Sequence, residues 1–171
     1  MHSETLNNLG DYALKDGQID EALDFFRRAA KARPGHMESR FNVGAILLLK
    51  REFDEAIPWL EEAATLAPDD ERVQDRLAQA YLQKGDLPGA RRRYEMQVRV
   101  FPASPNPCLQ LARLSQSEHK EQETLEWIKS AVQRGGPSVA QAIRQDPSFQ
   151  GLALDEVLGP PTLENDAATG H

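Results

Sequence analysis

The hydrophobic positions of this chain recur with a step of 34 residues. Three sets of positions keep this step through four periods, and the members of each set share one kind of side chain. The aliphatic set is Leu9, Val43, Leu77 and Leu111, the small set is Gly10, Gly44, Ala78 and Ala112, and the large apolar set is Phe26, Leu60, Tyr94 and Ile128. Such a recurrence predicts that one supersecondary unit, a pair of helices, is repeated along the chain.

The residues between the apolar sets predict where the helices of each pair end. A proline follows the second helix in three periods, and proline cannot continue a helix. These prolines are Pro34, Pro68 and Pro102. The connections between the two helices are short, which favours antiparallel pairs. In the third period, Asp86 followed by Pro88 predicts a capped helix start.

The periodic pattern resembles the tetratricopeptide repeat, whose signature combines Leu-Gly, an aromatic residue, Ala, Phe and Pro. The first period carries this signature as Leu9-Gly10, Ala22, Phe26 and Pro34. The resemblance implies an all-α fold, a right-handed superhelical solenoid of antiparallel helix pairs with about four repeats. It also implies that the first helices of the pairs line a concave groove.

The 34-residue step predicts the boundaries of the segments. The predicted repeats are 3–36, 37–70, 71–104 and a degenerate fourth repeat, 105–138. Capping helices are expected over 139–158, since a solenoid exposes the apolar face of its last repeat unless something covers it. One of these helices is expected to begin at Asp146-Pro147. Residues 159–171 are expected to form a flexible tail.

Polar and apolar residues of the first helices make up the predicted peptide-binding groove. The candidate residues are Asn8, Phe41, Asn42, Ala45, Leu48, Leu49, Arg72, Arg76, Gln79 and Arg113. Arg72 and Arg76 lie four apart on one helix, and Asn42 precedes Arg76 by one period, so three donors could converge on a carboxylate. They match half of the carboxylate clamp of tetratricopeptide domains. Asn7 and Asp11 stand where that clamp has a lysine and an asparagine.

Each feature of the groove also has a purely structural interpretation. Arg72 could pair with Glu38, one period earlier, and with Asp75 on its own helix, as exposed ion pairs commonly do. Leu48 and Leu49 could pack against neighbouring helices instead of forming an apolar strip with Phe41. The sequence leaves both pairs of alternatives open.

Composition narrows the class of partner. A formal charge of −7 argues against a nucleic acid or an anionic membrane surface. The chain has one cysteine, Cys108, interpreted as a small core residue, and four scattered histidines, so neither a metal site nor a bound cofactor is expected. The basic run 91–93 is interpreted as a solvated outer face. The longest apolar stretch, 45–49, is too short to cross a bilayer, and no targeting signal is evident, which predicts a cytoplasmic protein.

These observations favour a binding function over catalysis. No nucleophile elbow, phosphate-binding loop or zinc-binding histidine pair is present, so we do not expect an enzyme. The favoured hypothesis is a non-enzymatic protein–protein interaction module that binds a short peptide, acidic or carboxylate-bearing, in the concave groove. The alternative is a self-assembling structural scaffold, a homo-oligomer, because the first repeat starts at residue 3 without a polar cap.

Overall fold

The chain folds into helices joined by short loops in a computed structural model that describes residues 2–159. No strand occurs among these residues. The helices are α1 (Ser3–Lys15), α2 (Ile19–Ala32), α3 (Met37–Leu49), α4 (Phe53–Leu66), α5 (Glu71–Lys84), α6 (Leu87–Val100), α7 (Asn106–Ser117), α8 (Glu121–Gln145), the 3-10 helix η1 (Pro147–Phe149) and α9 (Leu154–Leu158). The contacts divide the chain into two units, the first ending at Phe101 and the second beginning at Pro102.

Unit 1 contains three helix pairs, α1–α2, α3–α4 and α5–α6. Helices pack within each pair, and the pairs stack because α2 packs against α3 and α4 packs against α5. The members of the aliphatic and large apolar sets in this unit are buried in the core, as their spacing predicts, except Leu9, which is half-buried. The boundaries of the individual repeats stay a prediction.

The small residues of the 34-residue pattern let the two helices of a pair approach closely. A Cβ atom added at Gly10 would lie 2.5 Å from Cε1 of Phe26, and one added at Gly44 would lie 2.5 Å from Cγ of Leu60. Real Cβ atoms do not come this close to a neighbouring heavy atom, so the space above each glycine is filled by the large apolar residue. The predicted pairing of the small and large sets is confirmed.

The third helix pair has two capped helix starts. Oδ1 of Asp70 accepts hydrogen bonds from the backbone N–H of Arg72 at 3.0 Å and of Val73 at 3.4 Å at the start of α5. Asp86 accepts from the N–H of Gly89 at 2.8 Å at the start of α6, so the predicted cap is confirmed. Between the two helices, Gly85 has a φ of 86°, a left-handed conformation that glycine adopts without strain.

Gln97 interrupts an otherwise small position of the repeat with a buried polar side chain. Its Nε2 donates to the backbone carbonyl of Gln74 at 3.0 Å. Gln74 is itself buried, and its Nε2 donates to the carbonyl of Pro68 at 3.2 Å. The side-chain amides of Gln97 and Gln74 thus donate hydrogen bonds to backbone carbonyls in the interior. Buried polar groups generally have such partners.

Unit 2 consists of α7, α8, η1 and α9. Cys108 on α7 is a free, fully buried thiol, which confirms its interpretation as a core residue. Gly136 interrupts α8 with non-helical angles, φ 69° and ψ −157°, so residues 137–145 form a second helical segment. This segment overlaps the stretch 139–158, where capping helices are expected, and its Ile143 is buried.

A helix capped by Asp146 does begin at Pro147, as predicted, but it is shorter than expected and does not continue to Leu158. The chain forms only the short η1 there, and α9 follows as a separate turn of helix. Gly151 lies between them with a φ of 86°, and this left-handed residue breaks the helical path. Phe149 is nonetheless buried, so the segment does cover apolar surface. Of the tail predicted over 159–171, residues 160–171 lie outside the described residues.

Candidate functional site

The predicted groove residues divide between the two units. Nine of them lie on α1, α3 and α5 of unit 1, and Arg113 lies on α7 of unit 2. We call the surface carried by these residues of α1, α3 and α5 the first-helix face. The first-helix face therefore lies in unit 1, and Arg113 does not belong to it.

Side chains about 34 residues apart do lie side by side on neighbouring first helices. Nη2 of Arg72 donates to Oε1 of Glu38 at 3.2 Å, one period earlier. Nδ2 of Asn42 donates to Oδ1 of Asn7 at 3.2 Å, and Oγ of Ser39 donates to the same oxygen at 3.4 Å. Polar contacts therefore connect α1 with α3 and α3 with α5, as the repeat spacing predicts.

Arg72 is already surrounded by protein groups. Besides Glu38, its Nη2 contacts Oδ2 of Asp70 at 3.0 Å, and its guanidinium lies 5.2 Å from the ring centroid of Phe41. The hydrogen bonds that Arg72 donates to Asp70 and then to Glu38 raise the pKa of Arg72 further above its ordinary value. The expected contact with Glu38 is confirmed, and the second carboxylate on Arg72 is that of Asp70.

The Asp70 carboxylate accepts hydrogen bonds both from backbone N–H groups at the start of α5 and from the Arg72 guanidinium. Burial by itself raises the pKa of this carboxyl, but the hydrogen bonds from Arg72 and from the N–H of Val73 outweigh that effect. The pKa of Asp70 consequently lies below its ordinary value. The carboxylate stays ionised at neutral pH and keeps Arg72 over Phe41.

Arg76 has a different environment from Arg72. Its side chain is exposed, and Nη1 donates to Oε1 of Gln79 at 3.4 Å. It forms no ion pair with any residue of the described chain. Asn42, one period earlier, directs its amide to Asn7 on α1. Thus the structure does not join the three predicted donors in one cluster, and Arg76 is the arginine whose charge a ligand can neutralise.

The apolar candidates on α3 differ in exposure. Leu48 is buried at 6% exposure, so it packs against other helices, whereas Leu49 is 64% exposed. Phe41 and Ala45 are half-buried. The apolar strip of the first-helix face therefore consists of Phe41 and Ala45, with Leu49 at the end of the helix.

Arg113 is bound within unit 2. Its Nη2 lies 2.7 Å and its Nε 3.2 Å from Oδ2 of Asp146, which also accepts from the N–H of Ser148 through Oδ1 at 2.9 Å. Burial by itself raises the pKa of Asp146, but the bonds from Arg113 and Ser148 outweigh it and lower the pKa. Arg113 therefore anchors the C-terminal segment of unit 2.

A polar cluster between α4, α5 and α6 was missed by the sequence analysis. Oε1 of Glu61 accepts from the hydroxyl of Tyr81 at 2.7 Å and from Nη2 of Arg93 at 2.9 Å, and Arg93 lies 5.6 Å from the Tyr81 ring centroid. The basic run 91–93 is thus not uniformly solvated. The spacing of 32 residues between Glu61 and Arg93, close to one period, was the available signal.

Neither a metal centre nor a membrane span is evident in the described part of the chain. Within residues 2–159, no group of three or more His, Cys, Asp or Glu side chains is arranged to hold a metal ion. The helices described there are also too short or too polar to cross a membrane.

Family comparisons agree with the repeat pattern and the helix pairs. Two family models of the tetratricopeptide repeat match the chain, one over residues 7–71 and the other over residues 47–114. The chain belongs to the tetratricopeptide repeat family. The predicted fold class, an all-α tetratricopeptide solenoid, is likewise confirmed.

Two curated plant relatives contain a matching region. The chain is 35% identical over 89 residues to the inactive TPR repeat-containing thioredoxin TTL3 of Arabidopsis thaliana, and 32% identical over 90 residues to TPR repeat-containing thioredoxin TTL4 of the same organism. These matches cover 52% and 53% of this chain. They span only 13% of the length of each relative.

Solved structures with the same fold include three tetratricopeptide proteins. MamA from Desulfovibrio magneticus RS-1 has a TM-score of 0.68 at 22% identity, covering 78% of this chain and 75% of that chain. YrrB, described as having an unusual peptide-binding site, has a TM-score of 0.69 at 16% identity, covering 84% and 75%. The first TPR of Spaghetti (RPAP3), bound to the HSP90 peptide SRMEEVD, has a TM-score of 0.62 at 21% identity, covering 68% and 93%. At these identities, the comparison shows the fold.

Proposed function

We propose that this chain is a non-enzymatic protein–protein interaction module that binds a short peptide segment of a partner on the first-helix face of unit 1. The observation that carries the proposal is Arg76, an exposed arginine without an ion pair in the described chain, whose equivalent one period earlier, Asn42, lies on α3 with the half-buried apolar strip of Phe41 and Ala45. A charged group beside an apolar surface is the combination that gives a peptide both orientation and binding energy. Its cytoplasmic location stays an expectation of the sequence.

Polar side chains on α1, α3 and α5 support this choice of surface. Asn8 is exposed, and Asn42 and Gln79 are half-buried, so amide groups are accessible along the face. Side-chain amides can donate to and accept from the backbone of an extended peptide. Stacked helix pairs also present extended surfaces of this kind in repeat proteins.

Two proteins of the same fold support the class of ligand. YrrB is described as having a peptide-binding site, and the Spaghetti domain is bound to a peptide whose sequence, SRMEEVD, contains three acidic residues. A peptide with an acidic side chain or a free carboxylate suits Arg76 here, since guanidinium groups form strong charge-assisted hydrogen bonds with carboxylates.

The proposal is tested by selecting a phage-displayed library of random dodecapeptides on the wild-type chain. We expect enriched sequences that carry an acidic group, and we expect Arg76→Glu to lose the captured clones. The double variant Arg72→Glu, Arg76→Glu should lose them as well. Far-ultraviolet circular dichroism would establish that each variant keeps its helices.

A matched control separates a site effect from a change in net charge. Arg92 and Arg99 are exposed on α6, away from the first-helix face, so Arg92→Glu, Arg99→Glu changes the charge by the same amount as the double variant. We expect this control to retain the captured clones. Clones that bind the wild type and Arg76→Glu equally would show that the peptide site lies elsewhere, and no enrichment at all would overturn the proposal.

A second candidate function, self-assembly, is favoured by the exposure of Tyr12 on α1. Tyr12 is 65% exposed, although its equivalents one and two periods later, Ile46 and Ala80, are 4% and 0% exposed. In those later repeats the first helix packs against the preceding helix pair, α3 against α2 and α5 against α4. A second copy of the chain could cover the corresponding face of α1, since exposed apolar surface favours association.

Light scattering over a range of protein concentrations distinguishes this candidate. Self-assembly predicts a molar mass above the 19.1 kDa of one chain, and Tyr12→Glu should restore the monomer. Leu66→Glu is the matched control, because Leu66 is 44% exposed on α4 and lies outside the face in question. A mass of one chain at every concentration would exclude self-assembly.

A further inference from the structure

The first-helix face carries two unpaired charges of opposite sign on its outer helices. Asp11 on α1 is half-buried and forms no hydrogen bond or ion pair through its carboxylate with the described residues. Arg76 on α5 is exposed and contacts only the neutral side chain of Gln79. α3 lies between α1 and α5 in the chain order and is connected to both by side-chain hydrogen bonds.

The repeat register places both charges on the same face. Asp11 corresponds to Ala45 and Gln79 in the next two pairs, and Arg76 corresponds to Asn8 and Asn42 in the preceding two. Within each first helix, the position equivalent to Arg76 comes three residues before the position equivalent to Asp11, as Asn8 comes before Asp11 on α1. Side chains three residues apart lie on the same side of a helix. Asp11 and Arg76 therefore border a common surface, with α3 in the middle.

Two further carboxylates of this surface are paired with arginines of unit 1, and a third, Asp75, is bonded to a neutral amide. Glu38 is paired with Arg72, and Glu4 lies 3.5 Å from Arg33. Asp75 accepts a hydrogen bond from Nε2 of Gln79 at 2.7 Å. Asp11 on α1 and Arg76 on α5 are thus charges of opposite sign without an ion pair among the described residues, and the half-buried apolar side chains of Phe41 and Ala45 lie on the helix between them in the chain order.

A partly buried, unpaired charge favours a ligand of opposite charge, because pairing offsets the cost of its desolvation. We propose that the first-helix face selects an extended peptide with an acidic side chain on Arg76, a basic side chain on Asp11 and an apolar residue between them over Phe41 and Ala45. This inference rests on the proposed function and fixes the chemistry and direction of its ligand. Asp11, which stands where the carboxylate clamp has an asparagine, is then the residue that selects the basic side chain of the peptide.

The separation of the two charges follows from helix packing. The first helices of successive pairs approach closely enough for side-chain hydrogen bonds, α1 to α3 and α3 to α5, so we take their axes as about 8–10 Å apart and those of α1 and α5 as roughly 16–20 Å apart. An extended peptide advances about 3.3 Å per residue, which places the basic and acidic residues about five or six positions apart. For a given peptide, the end with the basic residue lies on α1 and the end with the acidic residue lies on α5, since the reverse orientation would bring like charges together at both ends.

The test uses clones enriched on the wild-type chain, synthesised as fluorescein-labelled peptides and measured by fluorescence anisotropy. We expect these peptides to contain a basic and an acidic residue at the stated separation. Replacing the basic residue by alanine should weaken binding by about two- to fivefold, the range expected for an exposed ion pair. The same replacement should have no effect on binding to Asp11→Asn.

Charge reversal provides the sharper experiment. Asp11→Lys should weaken binding of the wild-type peptide, and changing the basic residue of the peptide to glutamate should restore binding to this variant. Asp16→Lys is the matched control, because Asp16 is exposed beyond the end of α1 and does not belong to the first-helix face. This control should bind the original peptide as the wild type does.

The outcomes separate this inference from the proposed function. Peptides that need an acidic residue and Arg76, but bind equally well with and without the basic residue, would overturn the inference and leave the proposed function in place. Failure of the glutamate peptide to bind Asp11→Lys would also count against the inference. No enrichment on the wild-type chain would overturn both.

Discussion

Nη2 of Arg72 lies 3.2 Å from Oε1 of Glu38, and the two residues are 34 positions apart in the sequence. This ion pair spans neighbouring first helices, so the period of the sequence corresponds to one step of the helix stack. The same guanidinium contacts Oδ2 of Asp70 at 3.0 Å and lies over the ring of Phe41. Arg72 consequently stabilises the first-helix face through protein contacts, whereas Arg76 has no ion pair in the described chain and can bind a ligand.

Asp70 should contribute measurably to the stability of α5. Replacing it with alanine removes the side chain that accepts from the N–H groups of Arg72 and Val73, and loss of such a cap costs about 0.5–2 kcal/mol. Urea denaturation monitored by circular dichroism would measure the change in the free energy of unfolding. Asp69→Ala is the control, since Asp69 is the exposed neighbour that does not cap α5. Equal stability of the two variants would contradict the assigned cap.

The lowered pKa of Asp146 predicts a dependence of stability on pH. A carboxyl whose pKa is lower in the folded chain than its unfolded value of about 3.9 stabilises the fold above that value. This contribution is lost as the pH falls through the folded-state pKa. Asp146→Asn should therefore be less stable than the wild type at pH 7, and the difference should narrow as the pH falls below about 4.

The matched control for Asp146→Asn is Glu156→Gln in the same unit. Glu156 is exposed on α9, so its neutralisation should change stability little at any pH. The measurement is urea denaturation at a series of pH values. A difference between Asp146→Asn and the wild type that is the same at every pH would argue against the ionised carboxylate as the cause.

Gly10→Ala should destabilise unit 1 although alanine is the better helix former. The new Cβ atom would lie 2.5–2.8 Å from three ring carbons of Phe26, and overpacking of this kind costs about 1–3 kcal/mol. The gain in helix propensity is only about 1 kcal/mol. Gly35→Ala is the control, because no atom lies within 4 Å of its added Cβ. Thermal unfolding would compare them, and a Gly10→Ala variant as stable as the Gly35→Ala control would refute the close approach.

Cys108 should react slowly with thiol reagents in the native chain. Burial raises the pKa of its thiol, with Arg134 acting weakly in the opposite direction, so little thiolate forms at neutral pH and access is restricted. Labelling with 5,5′-dithiobis(2-nitrobenzoic acid) should be slow in buffer and fast in concentrated urea. Rapid labelling in buffer would mean that unit 2 opens readily around α7.

Much of the fold is determined by the sequence because the helix pair is a local structure repeated at a fixed step. The small residue Gly10 and the large residue Phe26 specify how the two helices of the first pair pack. Gly44 and Leu60 occupy the equivalent positions one period later. The cap at Asp86 is equally local, since the side chain bonds an N–H only three residues away. Contacts within one repeat, or between equivalent positions, can be deduced from the period alone.

The candidate site and the chain end depend on details that only the tertiary structure decides. The repeat spacing allowed Arg72, Arg76 and Asn42 to converge, but a long side chain can bond to any of several partners of similar energy. In the structure Arg72 contacts Asp70 and Glu38, Arg76 contacts Gln79, and Asn42 contacts Asn7. The break at Gly151 likewise depends on where Phe149 can be buried once η1 has formed. Periodicity determines which residues become neighbours, whereas the partner that each polar side chain takes is set by burial, rotamers and competing charges in three dimensions.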